Sequence, residues 1–152
     1  MKLLLTSIAT RPGSGPAQAL LDHYLARLAP YTSAQHQLFR SEAAFLDSLA
    51  RTRARTPPLV VLLDSRGTQL SSDALAARIA QEQQQDRQLL VFAIGPASGW
   101  SPHARDQAHT HAALLLSFGP MTLPHELARV LLAEQLYRAF TILAGHPYHS
   151  GH

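Results

Sequence analysis

Cysteine is absent from this chain of 152 residues, and several other residue types are scarce. Lysine and tryptophan each occur once, and charged residues make up only 15% of the sequence. Without cysteine, the chain can form neither disulfide bonds nor thiolate metal sites, which fits a cytoplasmic protein. No apolar run approaches the roughly 20 residues that a membrane-spanning helix needs, so we expect no membrane association.

Hydrophobic residues make up 46% of the sequence, which is enough to form one core. A chain of this length is too short for two ordinary domains, so we predict a single domain over residues 1–152. The formal net charge is +3, and twelve of the thirteen basic residues are arginines. The densest basic stretch is Arg51, Arg53 and Arg55, which can complement a helix C-terminus, bind phosphate or simply be solvated. This charge permits RNA binding but does not establish it.

Apolar patterning along the chain predicts strands that alternate with helices. The predicted strands are 2–8, 35–39, 59–64, 89–94 and 113–117. The predicted helices are 19–28, 41–52, one capped at 71–73 and running to 84, one starting at 101–102, and 124–144. Such alternation is typical of a mostly parallel sheet with helices on both faces, so the predicted fold class is α/β.

The last predicted helix, 124–144, is apolar around most of its circumference. A helix of this kind must be buried on more than one side. In so short a chain, the second covering surface is most simply another subunit, so we predict an obligate homodimer. Without that partner we expect Leu132, Phe140 or their neighbours to be left in water. Glu134 and Arg138 can form an exposed ion pair, or Arg138 can face the functional site as a fixed positive charge.

Three segments rich in glycine or proline follow the buried strands, at the edge where open α/β sheets bind ligands. They are 63–67, 95–100 and 118–123. None of them matches a phosphate loop or a dinucleotide-binding fingerprint, so we do not expect a nucleotide hydrolase. Histidines give no clear metal motif. His109 and His111 point apart on a helix, and His125-Glu126 lacks the second histidine of a zinc-protease helix, so we expect no metal site.

The last quarter of the chain carries the most specific motifs. They are Met121-Thr122-Leu123-Pro124-His125, Leu136-Tyr137-Arg138-Ala139 and His146-Pro147-Tyr148-His149. With Met1-Lys2-Leu3 and Phe92-Ala93-Ile94-Gly95, they resemble the bacterial large-subunit rRNA pseudouridine N3-methyltransferases of the SPOUT class. The resemblance covers the whole chain. It implies a SPOUT-type fold with a C-terminal trefoil knot, in which the last helix threads through the preceding loop.

The resemblance also implies a site for S-adenosylmethionine in the three segments. The cofactor-binding residues that it implies are Leu63, Gly95, Phe118, Gly119, Pro120, Met121, Thr122 and Leu123. Apolar side chains among them suit adenine, and the glycines allow a ligand to approach the backbone. The middle segment departs from the family pattern, because Pro96 replaces a glycine and lacks a backbone N–H, and because Ser98 replaces an acid or amide.

The implied reaction is methyl transfer to N3 of a pseudouridine in large-subunit rRNA, within the ribosome. The resemblance places Tyr148 and His149 over the site of the partner subunit. Arg138 would stabilise negative charge on the imide, and His149 is the first candidate for the base because it titrates near neutrality. The alternative is a catalytically weakened relative that binds RNA or the ribosome. Pro96, Ser98 and the missing basic residue after His149 suggest that alternative.

Overall fold

The structure is a computed structural model that describes residues 1–109 and 114–150. Its strands are β1 (Lys2–Ile8), β2 (Ser33–Phe39), β3 (Leu59–Gln69), β4 (Leu89–Ile94) and β5 (Leu114–Ser117). Its helices are α1 (Gly15–Leu28), α2 (Glu42–Arg51), α3 (Ser72–Gln84), α4 (Pro102–His109) and α5 (His125–Leu143), and a 3₁₀ turn, Pro147–His149, follows α5. The predicted alternation is confirmed, except that Ala113 lies outside the described residues.

The strands form one sheet in the order β2-β1-β4-β3-β5. All strand pairs in the described part of the chain are parallel, which confirms the predicted sheet type. One apolar cluster packs α1, α3 and α5 on one face, and a second packs α2 and the start of α4 on the other. Successive residues of β3 alternate between them, since Val61 belongs to the first cluster and Val60 to the second. Helices therefore cover both faces, as predicted.

Serine side chains begin three of the helices. The Oγ atoms of Ser41, Ser71 and Ser101 accept hydrogen bonds from the backbone N–H groups of Ala44, Ala74 and Ala104 at 3.1, 3.0 and 3.1 Å. These bonds satisfy donors that a helix leaves unpaired at its first turn. Because the signal is local, the starts of these helices could be predicted from the sequence.

Strand β3 continues beyond the predicted end at residue 64. It runs to Gln69 and changes its register with β5 between Leu63 and Thr68. A Cβ atom on Gly67 would lie 2.6 Å from the backbone carbon of Leu115, so glycine lets this irregular segment approach β5. The segment 63–67, predicted as a loop, is therefore part of a long, irregular strand.

Helix α5 corrects the prediction about the residues that need a partner. Leu132 and Phe140 are 0% and 4% exposed within the single chain, so the expectation is wrong for these two residues, whereas their neighbour Leu131 is 40% exposed. The reason is that α1 and α3 flank α5 on the same face of the sheet and cover two of its sides. On α1, the apolar pattern of the predicted helix 19–28 favours a core face that includes Leu20, but Leu20 is 46% exposed.

The exposed part of α5 carries other leucines. Leu127, Leu131 and Leu143 are 49%, 40% and 39% exposed.

The described residues contain no helix that is both long and apolar enough to cross a membrane.

Candidate active site

A cavity of about 680 Å³ opens at the carboxyl edge of the sheet, where the three predicted segments meet. Its volume lies within the range of small-molecule sites. All eight predicted cofactor-binding residues line it: Leu63, Gly95, Phe118, Gly119, Pro120, Met121, Thr122 and Leu123. The first residues of α5, including His125 and Ala128, complete one wall. The fold therefore brings together three segments that are far apart in the sequence.

Trp100 forms a rigid wall of this cavity. Its side chain is 4% exposed, and its Nε1–H donates a hydrogen bond to the carbonyl of Leu63 at 3.1 Å. A Cβ atom on Gly95 would lie 2.8 Å from the indole ring, so only glycine leaves room for Trp100 in this position. Gly95 thus supports the cavity through Trp100, a residue that the sequence analysis did not assign to the site.

Gly119 sets the path of the segment that leads into α5. Its φ angle is +111°, in the region that favours glycine. Its N–H donates a hydrogen bond to Ser117 Oγ at 3.0 Å. The Ser117 hydroxyl in turn donates to the carbonyl of Ser65 at 3.2 Å. The end of β5 is therefore joined to the irregular part of β3, which holds the floor of the cavity.

Pro96 does not disturb the turn that it begins. Its carbonyl accepts a hydrogen bond from the N–H of Gly99 at 2.8 Å. The left-handed residue of this turn is Gly99, with a φ of +84°, so the turn needs no positive φ at position 96. The departure from the family pattern is thus compatible with the local backbone.

We expect Pro96→Gly to leave the affinity for S-adenosylmethionine within about twofold of the original value, or to improve it. The turn remains intact because Pro96 contributes only its carbonyl. The free energy of unfolding should fall by about 0.4–1 kcal/mol, because glycine increases the entropy of the unfolded chain. Calorimetric titration and chemical denaturation measure the two quantities. A large loss of affinity would show that the proline itself shapes the cavity.

Asp64 places a negative charge at the cavity wall. Arg66 donates hydrogen bonds to its carboxylate at 2.9 and 3.0 Å, and Arg105 lies 3.9 Å away. The hydrogen bonds from Arg66 lower the pKa of Asp64 despite its partial burial. The carboxylate therefore stays ionised near neutral pH, and Arg66 and Arg105 compensate its charge.

The three predicted catalytic residues lie together at the other end of α5. Arg138 donates hydrogen bonds to Glu134 Oε1 at 3.0 and 2.6 Å, and its Nη1 lies 3.1 Å from His149 Nδ1. The hydroxyl of Tyr148 donates to the same Glu134 oxygen at 3.0 Å. His149 Nε2 lies 3.4 Å from Asp73. Arg138 thus forms the predicted ion pair with Glu134, although the pair is partly buried rather than exposed. That Arg138 faces the functional site stays a prediction.

Tyr148 is a hydrogen-bond donor rather than a base in this arrangement. Burial, followed by hydrogen bonds with Tyr24 and Glu134, raises the pKa of its hydroxyl well above the ordinary value. The phenol therefore stays protonated near neutrality. Its ring packs edge-on against the buried Tyr137, with the centroids 4.7 Å apart, and the guanidinium of Arg27 lies 5.0 Å from the Tyr148 ring centroid. Arg27 could not be recognised from the sequence, because the two rings that it contacts, Tyr137 and Tyr148, are distant in the sequence.

The cavity and the tail cluster are separated within one chain. Arg138, Tyr148 and His149 do not line the cavity, whose last lining residue on α5 is Ala128. Arg138 follows Ala128 by about ten residues, which corresponds to about 15 Å along a helix. Methyl transfer needs the reacting atoms about 3–3.5 Å apart. A tail in this position therefore does not reach the cavity of its own chain.

No group of three histidine, aspartate, glutamate or cysteine side chains is arranged to hold a metal ion in the part of the chain that the structure describes. The prediction that His109 and His111 point apart falls on residue 111 and on the side chain of residue 109. Both lie outside the described part of the chain.

Comparisons with known proteins agree over nearly the whole chain. The family model described as Predicted SPOUT methyltransferase matches residues 1–149. The chain is 47% identical over 135 residues to the Ribosomal RNA large subunit methyltransferase H of Koribacter versatilis, which covers 89% of each protein. It is 43% identical over 163 aligned positions to the protein of the same name from Mesorhizobium japonicum, covering 98% of this chain and 99% of the relative.

A solved structure shares the fold at much lower identity. It is the Ribosomal RNA small subunit methyltransferase E from Neisseria gonorrhoeae bound to S-adenosyl methionine, with a TM-score of 0.54 and 14% identity. The match covers 94% of this chain and 66% of that one, so this chain spans about two thirds of its length. At this identity the likeness concerns the fold alone.

Proposed function

The chain belongs to the SPOUT methyltransferase family, and we propose that it methylates ribosomal RNA of the large subunit with S-adenosylmethionine as the methyl donor. The substrate class follows from relatives that are 47% and 43% identical and are named Ribosomal RNA large subunit methyltransferase H. The observation that carries the proposal is the cavity of about 680 Å³ at the carboxyl edge of the sheet, lined by all eight predicted cofactor residues.

The residues around the cavity fit S-adenosylmethionine. Phe118 and Met121 are 38% and 82% exposed, and they offer apolar surface for an adenine ring. Gly119 allows a ligand to approach the backbone closely. A bound cofactor supplies the electrophilic methyl group, whereas the protein supplies binding and orientation.

The finer proposal for the reaction is methylation at N3 of a pseudouridine. The protein then has to hold N3 in line with the methyl group and favour loss of the imide proton. His149 is the candidate base. In the described arrangement Arg138 donates to its Nδ1, so Arg138 has to turn towards the substrate before this nitrogen can accept a proton. In that position the guanidinium faces the imide oxygens and stabilises their developing charge.

A homodimer would join the tail to the cavity. Leu127, Leu131, Glu134 and Arg138 are spaced four, three and four residues apart, so they share one face of α5. The exposed leucines lie at the cavity end of this face and Arg138 lies at the tail end. A two-fold interface is self-complementary. Antiparallel pairing of this face therefore brings the tail of one subunit to the cavity of the other.

We expect Leu131→Asp to convert the dimer to monomers, because it places a charge in the centre of the proposed interface. Light scattering measures the molar mass, and circular dichroism checks that the sheet and helices persist. Ala50→Asp is the control, because Ala50 is exposed on α2, on the opposite face of the sheet. Wild-type protein that is a stable monomer at micromolar concentration would show that the dimer proposal is wrong.

We also propose that residues 1–152 form one SPOUT methyltransferase domain with a C-terminal trefoil knot, acting on the ribosome in the cytoplasm. The segment 118–123 passes directly into α5, and its link to Ser65 through Ser117 supports a loop held tightly enough to surround a threaded helix. Mapping methylated nucleotides in rRNA from cells with and without the gene tests the activity. A rRNA methylation pattern that does not change would contradict it.

Calorimetric titration with S-adenosylmethionine distinguishes the proposed enzyme from the alternative, a catalytically weakened relative that binds RNA or the ribosome. Saturable binding of S-adenosylmethionine is expected for the enzyme. Retained ribosome binding without cofactor binding would instead identify the weakened relative. The geometry of Pro96 removes one reason for that alternative, because the turn forms around this residue with its hydrogen bond intact.

A further inference from the structure

Arg129 is a buried charge without a partner. It lies on α5, directly after the cavity-lining Ala128, and is 6% exposed. In residues 1–109 and 114–150, no hydrogen bond or ion pair engages its guanidinium. The buried Glu82 is different, because Arg78 and Arg87 bind it at 3.0 and 2.8 Å. A buried charge is unfavourable unless it is paired, so an unpaired arginine at the edge of a site points to a ligand.

The guanidinium lies directly against the loop between β1 and α1. A Cβ atom on Gly13 would be 2.5 and 2.9 Å from its two terminal nitrogens and 2.4 Å from Gln18 Oε1, so a larger residue would have to displace both side chains. Gly13 is flanked by exposed Pro12 and Ser14, so the guanidinium lies against a surface loop. The carboxylate of Asp22 on α1 accepts a hydrogen bond from Gln18 at 3.0 Å, and no ion pair joins it to Arg129.

Helix α1 adds a second positive group at the same place. It begins at Gly15, its N-cap Ser14 makes no side-chain hydrogen bond, and its first turn contains no acidic residue. No hydrogen bond in the described chain engages the backbone N–H groups of Gly15 or Ala17. The N-terminus of a helix carries partial positive charge and attracts anions, phosphate in particular. Neither the charge of Arg129 nor the partial charge of this helix end is therefore paired with an acidic side chain in the described chain, and both groups border Gly13.

We propose that Arg129, the backbone at Gly13 and the N-terminus of α1 bind a phosphate group of the substrate RNA. This inference rests on the proposed function and adds a contact that holds the RNA beside the methyl donor. RNA presents a phosphate at each nucleotide, and a guanidinium matches two phosphate oxygens at once. Arg11, exposed in the same loop, adds positive charge on the path from solvent.

Arg129→Met tests the site, because methionine keeps an apolar stem and removes the charge. The measurements are affinity for ribosomes with unmethylated rRNA at several salt concentrations, and affinity for S-adenosylmethionine by calorimetry. We expect ribosome affinity to fall at least about 10-fold and the slope of log K against log salt to shrink by about 0.7–0.9, the share of one phosphate contact. Cofactor affinity should stay within about twofold.

Gly13→Ala is a second variant that keeps every charge. Its methyl group should displace the guanidinium and cause a similar loss of ribosome affinity, and it serves as the test if Arg129→Met fails to fold. Arg53→Met is the control, since Arg53 is an exposed arginine after α2, and ribosome affinity should change less than twofold. An equal loss in this control would mean that only diffuse charge matters, and would overturn the site.

Three further outcomes distinguish the phosphate site from the proposed function. If Arg129→Met loses cofactor affinity but keeps ribosome affinity, the anion is the carboxylate of the cofactor and the RNA phosphate site is wrong. If wild-type protein methylates rRNA and Arg129→Met binds ribosomes unchanged, the phosphate site fails while the proposed function stands. Wild-type protein that binds neither ribosomes nor S-adenosylmethionine would refute the proposed function itself.

Discussion

Truncation after Gly145 should leave binding of S-adenosylmethionine intact and reduce methyl transfer at least about 100-fold, the range expected for removal of acid–base groups. The truncation removes Tyr148 and His149, which do not line the cavity but do contact Glu134 and Arg138. Calorimetry measures cofactor affinity, and transfer of a labelled methyl group to ribosomes measures the reaction. Full activity in the truncated homodimer would eliminate the proposed roles of both residues.

The tail also packs on the core, so truncation should lower stability as well. Tyr148 covers the ring of Tyr137, and an aromatic pair of this kind contributes about 0.5–1.5 kcal/mol beyond its buried area. His149→Ala avoids this loss because it leaves Tyr148 in place, and it should reduce methyl transfer to a similar extent. Ser150→Ala is the control. The Ser150 hydroxyl bonds only the carbonyl of Pro147 in the described structure, so activity should not change.

Mixed dimers test whether the site is shared. A truncated subunit keeps an intact cavity, and a full-length subunit with Gly119→Val keeps an intact tail. Only their heterodimer can place that tail over that cavity. Activity that appears when the two inactive proteins are mixed would support a site built across the interface. No recovery, with heterodimers shown to form, would contradict it.

Gly119→Val should weaken binding of S-adenosylmethionine at least about 100-fold. The φ of +111° at Gly119 is strained for any residue with a side chain, at a cost of about 1–3 kcal/mol, and more so for a β-branched one. We expect the segment 118–123 to relieve this strain by changing its path, which removes the backbone surface that faces the cofactor. Calorimetric titration measures the affinity, and circular dichroism reports whether the fold persists.

Gly145→Val is the matched control for this prediction. Gly145 also has a positive φ, +68°, with no atom within 4 Å of an added Cβ, but it lies outside the cavity, after the C-terminus of α5. It should lose comparable stability and keep its cofactor affinity. Equal affinities in wild-type protein and Gly119→Val would remove the segment 118–123 from the cofactor site.

Local signals in the sequence were enough to predict the order of the elements and the position of the cavity. Serine caps such as Ser41 and Ser71 bind donors three residues away, so they mark helix starts without tertiary contacts. Parallel strands end at a common edge, which is why segments predicted after separate strands meet around one cavity. Arg138 and His149 also lie together in the structure, but their catalytic roles stay a prediction.

Other features depended on which distant elements pack together. The apolar circumference of α5 is visible in the sequence, but α1 and α3 decide that Leu132 and Phe140 are buried while Leu131 stays exposed. The continuation of β3 to Gln69 depends on its pairing with β5. Arg129 looks like an ordinary surface arginine in the sequence, and only the fold buries it against Gly13 without a partner. Hydrophobic periodicity reports what a helix face contains, whereas burial and charge pairing are set by non-local neighbours.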